Sequence, residues 1–357
     1  MSGRDRGSGG ARSTAALAVG TTISGCLPVF LIGALFAQLQ SDLGAPAWVL
    51  GVAVAFYWAV AAVVSVLSGR IISRIGSRMA TIFSISGAVA SLLGSAFLAP
   101  GWIAFVLWAG LGGAANSLGH PASNHLMSLR VPASKLATAF GIKQAAVPFA
   151  AFLAGLAVPV VALTLGWRWG FGLAAAVGVM LLTTFLLWGP RRAPGAVRQR
   201  RPHVPLPSPL LRYLLLMATA TTLGAAAAGA ASSFVVTAGI ERGITDASAG
   251  ILLSAGSLLG AVIRALAGRV ADRTGGRIAL PLTAALLASG AVGTALLTVD
   301  ATWTFALGAV LALGPGWGWT GLTHYVVSRV SGAATPSATG LVQTGSYIGS
   351  GGGPLAF

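Results

Sequence analysis

Apolar runs of about twenty residues recur along this chain, separated by short polar breaks. None of the runs shows the alternating, roughly ten-residue strands of a membrane barrel. A bilayer core about 30 Å thick asks for about 20 apolar residues per helix. The runs therefore predict membrane helices over residues 14–36, 48–68, 79–99, 101–128, 135–162 and 167–188. A second set is predicted over 211–237, 247–267, 278–298, 302–328 and 337–357. The fold class that follows is all-α and integral to the membrane, with about eleven spans.

Composition agrees. The chain is 55% hydrophobic and 8% charged, against about 25% charged in an average soluble domain. Mean hydropathy is +0.85. The many Gly, Ala and Ser residues suit helices that approach closely in lipid, where small side chains let backbones touch.

The polar breaks repeat each other. Gly69-Arg70-Ile71-Ile72-Ser73-Arg74-Ile75-Gly76-Ser77-Arg78 returns 199 residues later as Gly268-Arg269-Val270-Ala271-Asp272-Arg273-Thr274-Gly275-Gly276-Arg277. The same offset carries Asp42 to Glu241, Gly51 to Gly250, His125 to His324, Gly141 to Gly340 and Gln144 to Gln343. A register held this far marks a duplicated unit. Two equivalent halves in a membrane protein suggest a carrier with its site between them. The halves are expected as a bundle over 1–188 and an incomplete one over 211–357. The Arg- and Pro-rich segment 189–210 between them reads as an extended linker.

A formal net charge of +16 could point to nucleic acid, but its distribution points elsewhere. With alternating spans, Arg4, Arg6, Arg12, Arg70, Arg74, Arg78, Arg130, Lys135, the linker arginines, Arg269, Arg273, Arg277 and Arg329 all fall on one side. The other side holds Asp42, Arg168, Glu241, Arg242, Asp246 and Asp300. That asymmetry places the amino terminus, the linker and both Gly-Arg loops in the cytoplasm of a multi-pass plasma-membrane protein. No nucleic-acid partner is expected. Cys26 is the only cysteine, so no intrachain disulfide or cysteine metal cluster is expected. The preceding Ile23-Ser24-Gly25 imitates a lipoprotein signal, but the apolar run continues through Phe36, too long for a signal segment.

In these features the chain resembles the major facilitator superfamily. The resemblance rests on the Gly-x-x-x-Asp-Arg-x-Gly-x-Arg-type motif after helices two and eight, together with the basic central loop. Gly268, Asp272, Arg273, Gly275 and Arg277 match closely; Gly69, Arg74, Gly76 and Arg78 match with Ser73 in place of Asp. The resemblance implies two six-helix bundles related by a pseudo-two-fold axis, alternating access and no cofactor or enzyme activity. It also implies a gating latch by Gly69, Arg70, Arg74, Gly76 and Arg78 and by the second copy, with Asp272 facing the start of helix five near Ser134. The alternative is that these charges only enforce topology. On a twelve-helix plan the chain stops inside helix eleven, so helix twelve is expected to be missing and an inactive fragment is one reading. The family's glycine-rich helix-five motif keeps Pro148 here but not its glycines, so uptake and efflux both stay open.

Interior polar residues carry the functional expectation, because ionisable groups inside a bilayer are expensive. Asn116, His120 and Asn124 recur every fourth residue and share one face of helix four. Thr320 and His324 do the same on helix ten; Lys143 and Gln144 sit on helix five and Gln343 on helix eleven. Lys143 lies about nine residues, or about 13 Å, inside its helix. Asn116, His120, Asn124, Lys143, Gln144, Thr320 and Gln343 form the expected substrate site, each against the alternative of ordinary interhelical hydrogen bonding. His125 and His324 are expected to pack near the helix ends, and Arg264 to reach toward the headgroups.

The six acids are Asp5, Asp42, Glu241, Asp246, Asp272 and Asp300, and none falls in the middle of a span. A pump for cationic drugs would want a buried carboxylate. A buried amine without one favours an anion. The sequence thus predicts a monomeric secondary carrier for a small organic anion, with His120 the titrating group if protons are coupled. A multidrug or metabolite efflux permease of the same fold is the alternative.

Overall fold

The computed structural model describes residues 4–131, 133–189, 208–331 and 335–356, with the side chains of 4–11, 133–138, 272, 328, 335–337 and 339 left aside. The linker 190–207 lies outside the described residues. Those described are helical throughout, with no strand among them.

The first half comprises α1 (Arg4–Leu43), α2 (Val49–Ile75), α3 (Ser77–Phe97), α4 (Trp102–Arg130), α5 (Ala133–Ala157) and α6 (Trp167–Trp188). Past Ala157, α5 relaxes into a π-helical turn, Val158–Ala162, where Pro159 supplies no N–H to the helical ladder. The second half comprises α7 (Ser208–Glu241), α8 (Asp246–Arg273), α9 (Ala279–Leu296), α10a (Thr302–Leu313), α10b (Thr320–Ser331) and α11 (Thr335–Ala356). A 3₁₀ turn, Pro315–Trp317, separates α10a from α10b.

Eight stretches of the described residues are long and apolar enough to cross a membrane. One of them, Val49–Phe97, contains both α2 and α3, which break at Gly76. The eleven expected spans do not all meet this criterion. α10 is cut by Gly314–Gly318, and α11 is diluted by Gly, Ser and Thr. Many large apolar side chains point outward, among them Met180, Trp188, Leu216 and Trp303, as lipid-facing positions should. Cys26 lies buried in the continuous helix α1.

The sequence repeat reappears in the turns. Gly44 and Gly243 have φ of 58° and 80°, and Gly76 and Gly275 have φ of 83° and 59°. Each pair is separated by the repeat offset of 199. Only glycine takes this left-handed conformation without strain, so these two tight reversals fix helix ends at equivalent places in both halves.

The core runs through α1, where Leu31, Ile32, Leu35 and Phe36 are fully buried, and continues into Leu253 of α8 and Phe305, Ala309 and Leu313 of α10a. One packed cluster therefore spans both halves. Its contacts between the halves, through Leu253, Phe305, Ala309 and Leu313, lie on the side away from the Gly76 and Gly275 turns.

Candidate functional site

On that far side the halves meet backbone to backbone. A Cβ on Gly51 would come within 2.5 Å of the Pro354 carbonyl oxygen. A Cβ on Gly250 would come within 2.7 Å of the Gly155 carbonyl oxygen, and one on Gly155 within 2.6 Å of that of Gly250. The repeat relates Gly51 to Gly250 and Gly155 to Pro354, so the α2–α11 and α5–α8 seams are equivalents. Between them, a Cβ on Gly33 of α1 would meet Ser233 of α7 at 2.8 Å. Two hydrogen bonds add to this closure: Ser254 Oγ donates to the Phe152 carbonyl at 3.0 Å, and Gln38 Nε2 to Asp246 Oδ2 at 3.0 Å.

On the side of the Gly76 and Gly275 turns the halves part. A cavity of about 780 Å³ lies between α2, α4 and α5 on one hand and α8, α10b and α11 on the other. It reaches Ser68 and Ala271 beside the turns. Deeper lies a chamber of about 100 Å³. His120, Gln144, Arg264, His324, Gln343 and Tyr347 line both spaces and form the ring that joins them.

Six of the seven expected substrate residues line these spaces. Asn116 and Thr320 face the inner chamber, Asn124 the outer cavity, and His120, Gln144 and Gln343 both. Lys143 lines neither. It is buried between α4 and α5, where Nζ donates to Asn124 Oδ1 at 2.6 Å and to the His120 carbonyl at 3.1 Å. Neighbouring residues on a helix point about 100° apart, so Gln144 meets the cavity while Lys143 meets α4.

Among the described residues, the cation that lines the cavity is Arg264. The sequence reading sent it toward the headgroups; here only 4% of it is exposed. Nε donates to the Trp317 carbonyl at 2.9 Å and Nη1 to the Gln144 carbonyl at 2.9 Å. Both acceptors come from interrupted helices. The carbonyl of Gln144 would normally accept from the residue four further on, which is Pro148 and has no N–H. The carbonyl of Trp317 closes the 3₁₀ break in α10. The guanidinium also sits 5.3 Å from the centroid of the Trp317 ring. Nη2 is left for the cavity.

His324, expected to pack near a helix end, also lines both spaces. His125 does pack as expected, with Nδ1 2.6 Å from Ser77 Oγ. Three buried polar atoms around the inner chamber have no partner: Asn116 Nδ2, Trp319 Nε1 and Thr320 Oγ1. Asn116 Oδ1 is 3.5 Å from Cys26 Sγ. None of the described acids, Asp42, Glu241, Asp246 and Asp300, lines either space. Asp42 is engaged at the far side, accepting from Trp167 Nε1 at 2.9 Å and Arg168 Nη1 at 2.7 Å. Among the described residues no group of His, Cys, Asp and Glu could hold a metal ion.

Of the expected gating residues, Gly76 and Gly275 make the two turns, and Gly268 lines the outer cavity. Gly69, Arg70, Arg74, Arg273 and Arg277 are exposed. Arg78 Nη2 donates to the Leu186 carbonyl of α6 at 3.2 Å. The proposed latch between Asp272 and Ser134 lies outside the described side chains.

The sequence matches the Major Facilitator Superfamily over residues 17–354. No curated protein matches significantly. Among solved structures, a D-xylose-proton symporter superposes with a TM-score of 0.71 at 17% identity, covering 96% of this chain and 88% of the other. A bacterial homologue of the human lysosomal transporter Spinster, solved in an inward-facing and occupied conformation, superposes with a TM-score of 0.69 at 15% identity, covering 96% of this chain and 80% of the other.

Proposed function

This chain belongs to the major facilitator superfamily and is a multi-pass membrane transporter rather than an enzyme; we propose that its solute is a small organic anion carried by alternating access. The observation that carries the proposal is Arg264, a buried cation that faces the central cavity with no described acid beside it. A charge held only by carbonyl oxygens favours an anionic ligand, which completes its hydrogen bonds and its charge balance. Asn116 Nδ2 and Trp319 Nε1 add unpaired donors at the chamber wall, and an anion's oxygens are acceptors. A cationic solute would have to sit beside the guanidinium, so the drug-efflux alternative has less support.

In this proposal two bundles, 1–188 and 211–357, rock about the glycine seams, with 189–210 as the cytoplasmic tether. The arginine-rich side is the cytoplasmic one, so the cavity faces inward and the seams close the outer side of the plasma membrane. His120 and His324 at the ring are the groups that could couple protons, since imidazole titrates near neutral pH. Lys143 is reassigned from substrate ligand to positioning residue, fixing Asn124 and the α4 backbone. The carrier acts as a monomer.

The test is equilibrium binding and proteoliposome counterflow of radiolabelled organic anions. Arg264→Gln should weaken anion binding roughly 10- to 150-fold and lower counterflow with it, and Arg264→Lys should restore part, because the charge returns without the fork. Undiminished anion binding by Arg264→Gln, or a cationic solute, overturns the reading. Orientation is tested separately with Ser208→Cys on a Cys26→Ala background. Labelling of that cysteine from the periplasmic side alone reverses the assignment.

A further inference from the structure

The inner chamber is walled by aromatic rings to an extent that an anion site alone does not require. Trp58 comes from α2, Trp317 ends the 3₁₀ turn in α10 and Trp319 follows it, and Tyr347 comes from α11. Trp58 and Tyr347 are stacked across the α2–α11 seam, with centroids 5.8 Å apart and planes inclined by 27°. Trp317 is held edge-on against Phe30 of α1 at 5.6 Å. Trp317 is therefore braced from outside the chamber, and Trp58 and Tyr347 brace each other within its wall. The chamber measures about 100 Å³ and opens through the His120–Gln343 ring into the larger cavity. An apolar cavity of about 150 Å³ takes benzene, so a six-membered ring fits this chamber only by extending through its open end into the larger cavity.

Aromatic walls have two common uses. They hold cations against their negative faces, or they hold another aromatic ring offset or edge to face. Arg264 decides between them. Its guanidinium already sits 5.3 Å from the centroid of Trp317, and a second cation would be repelled at that distance. We infer that the transported solute is an aromatic monocarboxylate whose ring occupies the inner chamber between Trp58, Trp319 and Tyr347. Its carboxylate meets the free edge of Arg264 at the neck. The inference rests on the anion reading and adds the ring to it. Arg264, the one cation among the described residues that line the two spaces, sets the charge at one. Asn116 Nδ2 and Trp319 Nε1, both unpartnered, reach the ring's substituents or the second carboxylate oxygen.

Four probes separate the two layers: benzoate, cyclohexanecarboxylate, benzamide and benzyltrimethylammonium, each measured by equilibrium binding to the purified full chain. Benzoate should bind at least tenfold more tightly than the other three; one favourable ring pair accounts for about two- to tenfold of that. Trp58→Leu should bring benzoate down to the level of cyclohexanecarboxylate and leave cyclohexanecarboxylate within about twofold. Trp58→Phe, which keeps a ring and tests for misfolding, should retain the preference. Equal binding of benzoate and cyclohexanecarboxylate overturns the aromatic assignment while the anion reading stands. Equal binding of benzoate and benzamide, or tighter binding of the ammonium probe, overturns the anion reading as well. If no probe binds at millimolar concentration, both fall.

Discussion

The α2–α11 and α5–α8 seams begin as copies of one contact and end with different chemistry. Both close the far side through glycine, Gly51 against Pro354 and Gly250 against Gly155. Toward the centre they part. Arg264 on α8 reaches the Gln144 carbonyl on α5, whereas its repeat equivalent on α2 is Ser65. On the other seam Trp58 and Tyr347 stack, where the repeat has Ser257 and Pro148. The same divergence runs through α4 and α10: Asn116, His120 and Asn124 correspond to Pro315, Trp319 and Thr323. Duplication supplies a symmetric frame, which on the alternating-access proposal hinges at matching places. On the aromatic-anion proposal, one polar wall and one aromatic wall then recognise an asymmetric solute.

Breaking the polar seam should have the largest effect. Arg264→Gln removes a hydrogen-bonded charge worth about 1.5–3 kcal/mol, so anion affinity should fall roughly 10- to 150-fold in radioligand binding. Lys143→Gln should cost far less, because Lys143 is occupied by Asn124 and the His120 carbonyl. An equal loss in both variants would return Lys143 to the substrate site.

Breaking the hinge comes next. Gly250→Val would drive side-chain atoms into Gly155 and Val158. Overpacking of this kind costs about 1–3 kcal/mol and should shift the population toward the far-side-open state by roughly five- to 150-fold. Spin labels at Ala47 and Asp300 would report the change as longer distances. Gly51→Val should do less, since it meets only backbone atoms of Pro354 and Leu355, whereas position 250 also meets the Val158 side chain. If the two substitutions act alike, the seams are mechanically equivalent and only their chemistry differs.

The smallest effect belongs to Ser254→Ala. It deletes one interhelical hydrogen bond to Phe152 that the other seam lacks, because Ala55 stands at the equivalent position. Such bonds average about 0.6 kcal/mol in membrane helices. A shift of about threefold in the same distance distributions is expected, and no shift would mean that backbone packing alone closes the seam.

Much of this frame was legible in the sequence. The Gly69–Arg78 and Gly268–Arg277 repeat located both turns, and apolar runs located the helices around them. Burial was legible for Lys143, which is only 2% exposed. Facing was not. The apolar residues of α5 surround it on all sides, so nothing in the pattern says that Gln144 rather than Lys143 meets the cavity. Arg264 was misjudged because Gly268 looked like the end of its helix. In fact α8 continues to Arg273, which places Arg264 about 13 Å from that end at 1.5 Å per residue. One signal was available: Pro148 leaves the Gln144 carbonyl without its helical donor, and a buried donor had to be found for it. Pro159 and Gly314-Pro315-Gly316 marked the breaks at Val158–Ala162 and Pro315–Trp317, but the form each takes, a π turn and a 3₁₀ turn, depends on tertiary packing.

The guanidinium of Arg264 is balanced by two backbone carbonyls and by no described carboxylate, and this has an electrical consequence. On the anion reading, the loaded site is neutral and the empty site carries one positive charge. The membrane potential therefore does little to the loaded crossing and acts mainly on the return of the empty carrier. For a charge crossing the whole field that amounts to about 2.3 kcal/mol per 100 mV, and a site at mid-depth feels a fraction of it. The broken helices that free those carbonyls would make the unloaded half of the cycle the voltage-sensitive one.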